Sequence, residues 1–235
     1  MSTINNMSSL IRLGFMNPGL MILTLNVKRS KRTYLSYSTL FSLVRNYFSI
    51  RKHSLRPLRV AEFGVGRGGS AMILAWLVNR DEGNLSLYDV FSRIPGPTDQ
   101  DGERALDRYK YIINQESNDY YGNINNLQDV ILKELHQVCS PEHIEIVQGK
   151  YEEVLAKLED ERTFDLVHID CDWYESSKVV YSYLQTRLQP GAILQVDDYS
   201  NWEGSLRAFQ ETTWLTPYRT HLVDGALVID TSRLI

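Results

Sequence analysis

An α/β fold is predicted here, a mostly parallel sheet covered by helices on both faces, and three observations predict it. Short apolar runs suited to buried strands alternate with segments of helical periodicity along most of the chain. The first of these strands, Leu58–Phe63, leads directly into the glycine-rich turn Gly64-Val65-Gly66-Arg67-Gly68-Gly69. The last two strands flank Asp224-Gly225, a strong hairpin turn that adds an antiparallel strand to the sheet.

The elements follow in order. Residues 1–35 read as an N-terminal accessory or lid segment, flexible or packed over the rest, and residues 36–235 as the main domain. The apolar run Leu20–Leu25 is too short to span a bilayer, and the segment lacks the pattern of a secretory signal. Lys28–Arg32 is a short basic stretch expected in a solvated loop. Tyr37–Phe48 places Leu40, Phe41, Leu43, Val44 and Phe48 at helical spacing, and Ser70–Val78 is the helix after the glycine turn. Leu85–Tyr88 is a strand ending at Asp89. Ser92–Gly122, rich in Pro, Gly, Asp and Asn, is expected to be a long loop and a candidate lid. Ile124–Val138 reads as helix, His143–Val147 as strand, Glu152–Leu158 as a short helix and Phe164–Ile169 as strand. Tyr174–Leu188 is expected to be helical, Ala192–Val196 extended and Glu203–Thr212 helical. Tyr218–Val223 and Ala226–Ile229 form the closing hairpin.

Composition bounds the class. A chain of 235 residues, 43% hydrophobic and 23% charged, is an ordinary globular protein with one sizeable core. A net charge of −4 gives no reason to expect nucleic acid, and no segment points to a membrane. Cys139 and Cys171 have no metal-ligand spacing and suit a reducing cytoplasm. The sequence is compatible with a homo-oligomer and does not specify one.

Ligands of such sheets bind where strands end at their carboxyl edge. The first strand delivers Glu62 and the glycine turn there, where backbone N–H groups at a helix start can cradle a nucleotide-like cofactor. The second delivers Asp89, positioned for a ribose diol. Later strands deliver Asp170 and Asp172, then Asp197 and Asp198. Carboxylates so close repel and are costly to bury unpaired, a conflict that a divalent cation resolves. All-oxygen ligation favours magnesium, manganese or calcium. Gly64, Gly66 and Gly69 also satisfy G-x-G-x-x-G, so an NAD-dependent oxidoreductase is the rival reading. Hydride transfer has no use for a carboxylate group opposite the turn. S-adenosylmethionine is therefore preferred to NAD.

At these residues the chain resembles a known family. Glu62–Gly69, Tyr88-Asp89-Val90-Phe91 with Ile94-Pro95, His168–Ser177, and Leu188-Gln189-Pro190-Gly191 leading to Val196-Asp197-Asp198-Tyr199 resemble motifs of the macrocin O-methyltransferase (TylF-type) family. These are class I, S-adenosylmethionine-dependent, metal-dependent sugar O-methyltransferases. The resemblance spans about residues 30–215. It implies a seven-stranded Rossmann-like, doubly wound sheet with a reversed terminal hairpin, a small-molecule or glycan acceptor, and Asp170, Asp197 and Asp198 as ligands of a cation such as Mg2+. Two motifs depart from the family: Asp89-Val90-Phe91 stands for its Asp-Ser-Phe, and Asp170-Cys171-Asp172 for its Asp-Gly-Asp.

The candidate cofactor contacts are therefore Glu62, Gly64, Gly66, Gly68, Gly69 and Ser70, then Asp89, Phe91 and Gly149. Asp170 is in addition the expected proton acceptor. Other residues have plainer expected roles. Asp172 with Glu175 fits a capping box before a helix, and His168 and His221 read as core or supporting histidines. Lys150 and Tyr151 suit either an adenine contact or an exposed helix start. Trp173, Tyr174, Tyr199 and Trp202 suit either a sugar ring or simple packing. Within O-methyl transfer, a catechol-type acceptor is the alternative to a sugar, because a vicinal aromatic diol chelates the same cation.

Overall fold

The computed structural model describes residues 2–114, 126–158 and 161–234. Two helices open the chain, α1 (Ser2–Met16) and α2 (Pro18–Arg29), divided at Asn17, whose extended backbone stops the first and whose side chain caps the second by accepting from Leu20 N at 3.0 Å. α3 (Tyr37–Arg51) starts at Ser36, whose hydroxyl accepts from Thr39 N. Then come β1 (Arg59–Phe63), α4 (Gly69–Arg80), β2 (Asn84–Asp89), a single 3-10 turn at Asp99–Asp101 and α5 (Gly102–Asn114). They are followed by α6 (Leu127–Leu135), β3 (Ile144–Gln148), α7 (Tyr151–Val154), β4 (Phe164–Ile169) and α8 (Tyr174–Leu184). β5 (Leu188–Val196), α9 (Glu203–Gln210), β6 (Tyr218–Val223) and β7 (Ala226–Leu234) complete the chain.

The strands form one seven-stranded sheet in the order β3-β2-β1-β4-β5-β7-β6. All neighbours from β3 to β5 are parallel, and β7 runs antiparallel to both β5 and β6. The order reverses between β1 and β4, which opens a crevice at their carboxyl ends. Two apolar layers flank the sheet. Leu85, Leu87 and Leu166 pack with Leu40, Leu43 and Leu74 on one side. Phe63, Tyr88, Val167 and Leu194 pack with Val180 and Leu184 on the other, where the Phe63 and Tyr88 rings stack at 4.5 Å. Each such side chain, fully buried, contributes about 1.5–3 kcal/mol.

One row in the first layer is polar. Glu62, His168 and Gln195 are register neighbours across β1, β4 and β5, and all three are fully buried. His168 Nδ1 lies 2.8 Å from Glu62 Oε1, Asn46 Nδ2 donates to Gln195 Oε1 at 3.2 Å, and Gln195 Nε2 donates to Thr39 O at 3.2 Å. The row thus ties three strands to α3.

Several elements differ from expectation. The N-terminal segment is two helices whose Leu13, Leu20 and Val27 are buried, the first two in the same core as the sheet. The basic stretch is solvated only in part: Arg29 and Lys31 are exposed, while half-buried Lys28 donates from Nζ to Leu35 O at 2.6 Å and Arg32 pairs with Glu134. The polar stretch from Ser92 contains α5, hidden because only Ala105 and Ile112 of its residues are buried; the end of that stretch lies outside the described residues. α8 stops at Leu184, and β5 begins four residues before Ala192, passing Pro190 and Gly191 with a shift in its register to β4. His221 is exposed on edge strand β6, where it meets Arg45 at 3.3 Å, so it is not a core histidine. Among the described residues no helix is long and apolar enough to cross a membrane.

Candidate active site

A cavity of about 640 Å³ opens at the carboxyl edge of the sheet. The first wall is the glycine turn. Gly64, Gly66 and Gly68 all have positive φ, and the turn is held against β2 by Asp89. Asp89 Oδ2 accepts from Val65 N at 2.6 Å and Gly66 N at 3.0 Å, and Oδ1 accepts from Phe91 N at 2.7 Å. Burial raises the Asp89 pKa, and these three N–H donors pull against that rise.

The glycines do different work. A Cβ on Gly64 would sit 2.7 Å from the carbonyl carbon of Asp170 and closer still to its oxygen, so Gly64 lets β1 and β4 approach at the crevice. A Cβ on Gly68 would meet Ile131 of α6 at 3.1 Å, and one on Gly69 would meet Arg32 O at 2.7 Å. Those two glycines make room for protein. Gly64, Gly66, Asp89 and Gly149 line the cavity, while Gly68, Gly69, Ser70 and Phe91 stand behind it. Glu62 is not on the cavity wall either; its carboxylate faces His168 in the buried row.

Beside the turn, the ends of β4 and β5 bring Asp170, Asp197 and Asp198 together. One carboxylate oxygen from each lies within 4.8 Å of the others. Burial pushes Asp170 well above the ordinary carboxylate range, and the nearby Asp197, Asp198 and Asp172 push it further. Burial, then Asp198, raises Asp197 to about 7, against the pull of His168. Asp198 Oδ2 is buried and has no hydrogen-bond partner. Three crowded acids with a bare buried oxygen make a donor set that fits a hard divalent cation.

His168 sits beneath this group. Burial disfavours its charged form, but the Glu62 hydrogen bond and charge, with Asp197 and Asp198 beyond, win and raise its pKa. That is the supporting position expected of it. Asp172 departs from expectation. Its φ is +59, it takes no part in capping α8, and its Oδ1 accepts from Trp202 Nε1 at 3.1 Å on the cavity wall. The cap comes instead from Asp101, whose Oδ1 accepts from Tyr174 N at 2.6 Å while Oδ2 accepts from Thr98 N at 2.7 Å. A carboxylate 73 residues away outcompetes the local D-x-x-E pattern.

Of the remaining wall, Trp173, Trp202, Lys150 and Tyr151 were candidates from the sequence, and Arg104 and Arg108 were not. Arg104 and Arg108 project from α5, and Trp173 and Trp202 pack edge to face at 5.3 Å beside them. Trp173 Nε1 donates to Pro95 O at 2.9 Å, which pins the segment before α5 to the end of β4. Tyr34 and Leu35 reach the cavity from the N-terminal segment, and Lys150 and Tyr151 from the start of α7. The i, i+4 spacing of the two arginines was the signal available, once a helix is recognised there.

A parallel sheet reversed by an antiparallel terminal hairpin, with a glycine turn facing an acid cluster at the switch point, is the fold of a class I methyltransferase. Residues 61–199, more than half of the chain, match the methyltransferase domain family, and the protein belongs to it. No curated protein sequence matches the chain significantly. The O-methyltransferase NovP superposes with a TM-score of 0.72 at 16% identity, over 86% of this chain and 83% of that one. CalS11, a calicheamicin methyltransferase, gives 0.63 at 18% identity over 98% and 93%. A caffeoyl-CoA O-methyltransferase so named provisionally, from Staphylococcus aureus, gives 0.61 at 15% identity over 97% and 98%. At these identities the likeness is one of fold. The family match also sets aside the dehydrogenase reading of the glycine turn.

Proposed function

We propose that the protein transfers a methyl group from S-adenosylmethionine to a hydroxyl of a sugar or glycosylated acceptor, with Asp170, Asp197 and Asp198 holding a divalent cation, Mg2+ first among candidates. The observation that carries this reading is the carboxylate trio within 4.8 Å, lining the same cavity as the glycine turn. The turn, Asp89 and Gly149 form the wall that would receive the cofactor, and a sulfonium methyl needs only an acceptor oxygen in line with it. A sugar hydroxyl gives up its proton reluctantly. Bound at the trio, the cation supplies Lewis-acid chemistry that lowers the pKa of a chelating hydroxyl. Asp170, a member of the trio on the cavity wall, is our candidate to take that proton. Half-buried Trp202 offers an apolar surface suited to a sugar ring, with buried Trp173 packed against it. CalS11 is described as a TDP-rhamnose 3′-O-methyltransferase, so a protein of this fold acts on a sugar hydroxyl. Membership of the macrocin-type group belongs to the same proposal.

The test uses labelled S-adenosylmethionine with glycosides and catechols as acceptors, in Mg2+ or in EDTA. The expected result is Mg2+-dependent labelling of glycosides, lost in Asp197→Ala and Asp198→Ala by at least about a hundredfold, the scale of losing one transition-state electrostatic group. Equal turnover in EDTA would remove the cation from the reading, and labelling of catechols alone would replace the sugar.

A further inference from the structure

The two N-terminal helices each bury one face and leave the other bare. In α1, Ser9 and Leu13 are buried, while Met7, Ile11 and Phe15, spaced four apart, form an exposed row on the opposite side. Phe15 is 88% exposed, so almost nothing of the chain covers it. In α2, Leu20, Thr24 and Val27 are buried, while Ile22 and Arg29, seven apart, share the far side. The helices close on each other near their junction, where a Cβ on Gly14 would lie 2.7 Å from Met21 Sδ. Phe15, Met16 and Ile22, all exposed, therefore flank one contact. An apolar face of this extent calls for a partner.

Charge on the same segment has one sign. Residues 1–61 contain ten lysines and arginines and no aspartate or glutamate. All 29 acids lie in residues 62–235, beside the other 15 lysines and arginines. Some of the ten are used within the fold: Arg32 pairs with Glu134, Arg51 with Asp81 and Arg56 with Asp165. Arg12, Arg29 and Lys31 are exposed and have no ion pair among the described residues. Arg12 stands three residues before Phe15 and four before Met16, so cation and apolar row adjoin. A second copy packed through this face about a two-fold axis would set these cations against their own kind, with no acid in the segment to separate them. A bilayer needs no shaped counterpart: anionic headgroups meet the cations, and apolar side chains enter the headgroup layer. The same surface repels the acid-rich remainder, which fixes the orientation.

We propose that the outer face of α1 and α2 docks on an anionic lipid bilayer, with Ile11, Phe15 and Ile22 among the headgroups and Arg12, Arg29 and Lys31 on lipid phosphates. At 15 and 12 residues the helices lie on the membrane rather than cross it. Sequence alone does not point to a membrane; the face the folded segment leaves outside does. The proposal uses no feature of the cavity and holds whatever the acceptor.

Co-sedimentation of the full chain with large vesicles tests this, using phosphatidylcholine alone and phosphatidylcholine with about one third phosphatidylglycerol. The parent is expected to pellet with the anionic vesicles at least about tenfold more strongly than with the neutral ones, and less strongly in molar salt. The double variant Ile11→Gln, Phe15→Gln should lower the partition about tenfold or more. The double variant Arg29→Gln, Lys31→Gln should lower it about fivefold per charge removed. All four positions are exposed, so thermal midpoints of both variants should match the parent's. A parent that stays in the supernatant with anionic vesicles overturns the inference, as do equal binding to both lipid mixtures and variants that bind like the parent. A dimer seen by sedimentation velocity without lipid, and broken by Ile11→Gln, Phe15→Gln, gives the face to a second copy and overturns it too.

Discussion

Replacing Gly64 with alanine tests whether the crevice depends on close approach of β1 and β4. Two costs add. A side chain at φ +88 costs about 1–2 kcal/mol, since that backbone region suits glycine. The new Cβ also lands 2.7 Å from the Asp170 carbonyl carbon, where ordinary contact is about 3.5–4 Å, so β4 must yield. Asp170 N is bonded to Phe63 O at 2.8 Å, so the neighbour that must move is backbone rather than a free side chain. Overpacking of that kind costs about 1–3 kcal/mol. The total is about 2–5 kcal/mol, which for a chain of this size lowers the thermal midpoint by about 4–20 °C. Gly191 is the control. Its φ is +81, but a Cβ there meets nothing nearer than Ser232 Cβ at 3.6 Å, so Gly191→Ala carries the backbone cost alone. Differential scanning calorimetry of both variants, with and without Mg2+, separates strain from collision. Gly64→Ala should also lose much of its stabilisation by Mg2+, because the displaced carbonyl belongs to Asp170. Equal midpoints for the two variants would refute the close-approach account.

Two other outcomes follow from the site. The metal-free protein should lose stability as pH rises from about 4 to 7. Asp197 titrates near 7 and Asp170 well above the carboxylate range, so the folded state holds protons that the unfolded chain has released. Their protonated form is favoured below that window. Urea midpoints in EDTA should therefore fall more steeply with pH in the parent than in Asp197→Asn, and Mg2+ should stabilise more at pH 8 than at pH 6; parallel slopes would contradict the assignment. Asp101→Ala should cost about 2–4 kcal/mol by stripping acceptors from Tyr174 N and Thr98 N, with Asp101→Asn recovering about half. Thermal midpoints measure it, and faster proteolysis between residues 92 and 114 should accompany the loss.

What could be read from the sequence follows the range of the interactions. β1, β2 and β4 were legible because their buried runs are continuous, as strands covered on both faces must be. The acid trio was legible because its members directly follow the ends of β4 and β5, and parallel strands deliver their ends to one edge. α5 was not, since a helix with two buried positions and many charges has the composition of a loop. The N-terminal helices were missed for a related reason: the residues that fix them, Leu13 and Leu20, are anchored by the core rather than by local pattern. Asp172 misled through a genuine local motif that Asp101 overrides from 73 residues away. Glu62 was read as a ligand contact because position relative to glycines says nothing of which sheet face a side chain takes; the register beside His168 decides that.

The polar row beneath the sheet has a consequence for how the chain assembles. Its bonds span 106, 149 and 156 residues, so the first forms only once β1 has met β4, and the other two only once α3 has met β5. Until then Glu62, His168 and Gln195 are solvated, and burying them early leaves polar groups bare among leucines. Near-misses in strand alignment are penalised by the same row. A slip of one residue between β1 and β4 sends Glu62 or His168 toward the Phe63 layer, where no partner waits. Continuous apolar strands tolerate such slips, because valine and leucine fit either side. The row therefore acts as a checksum on alignment, and by fixing where β1 and β4 end it also fixes where the glycine turn and the acids face one another.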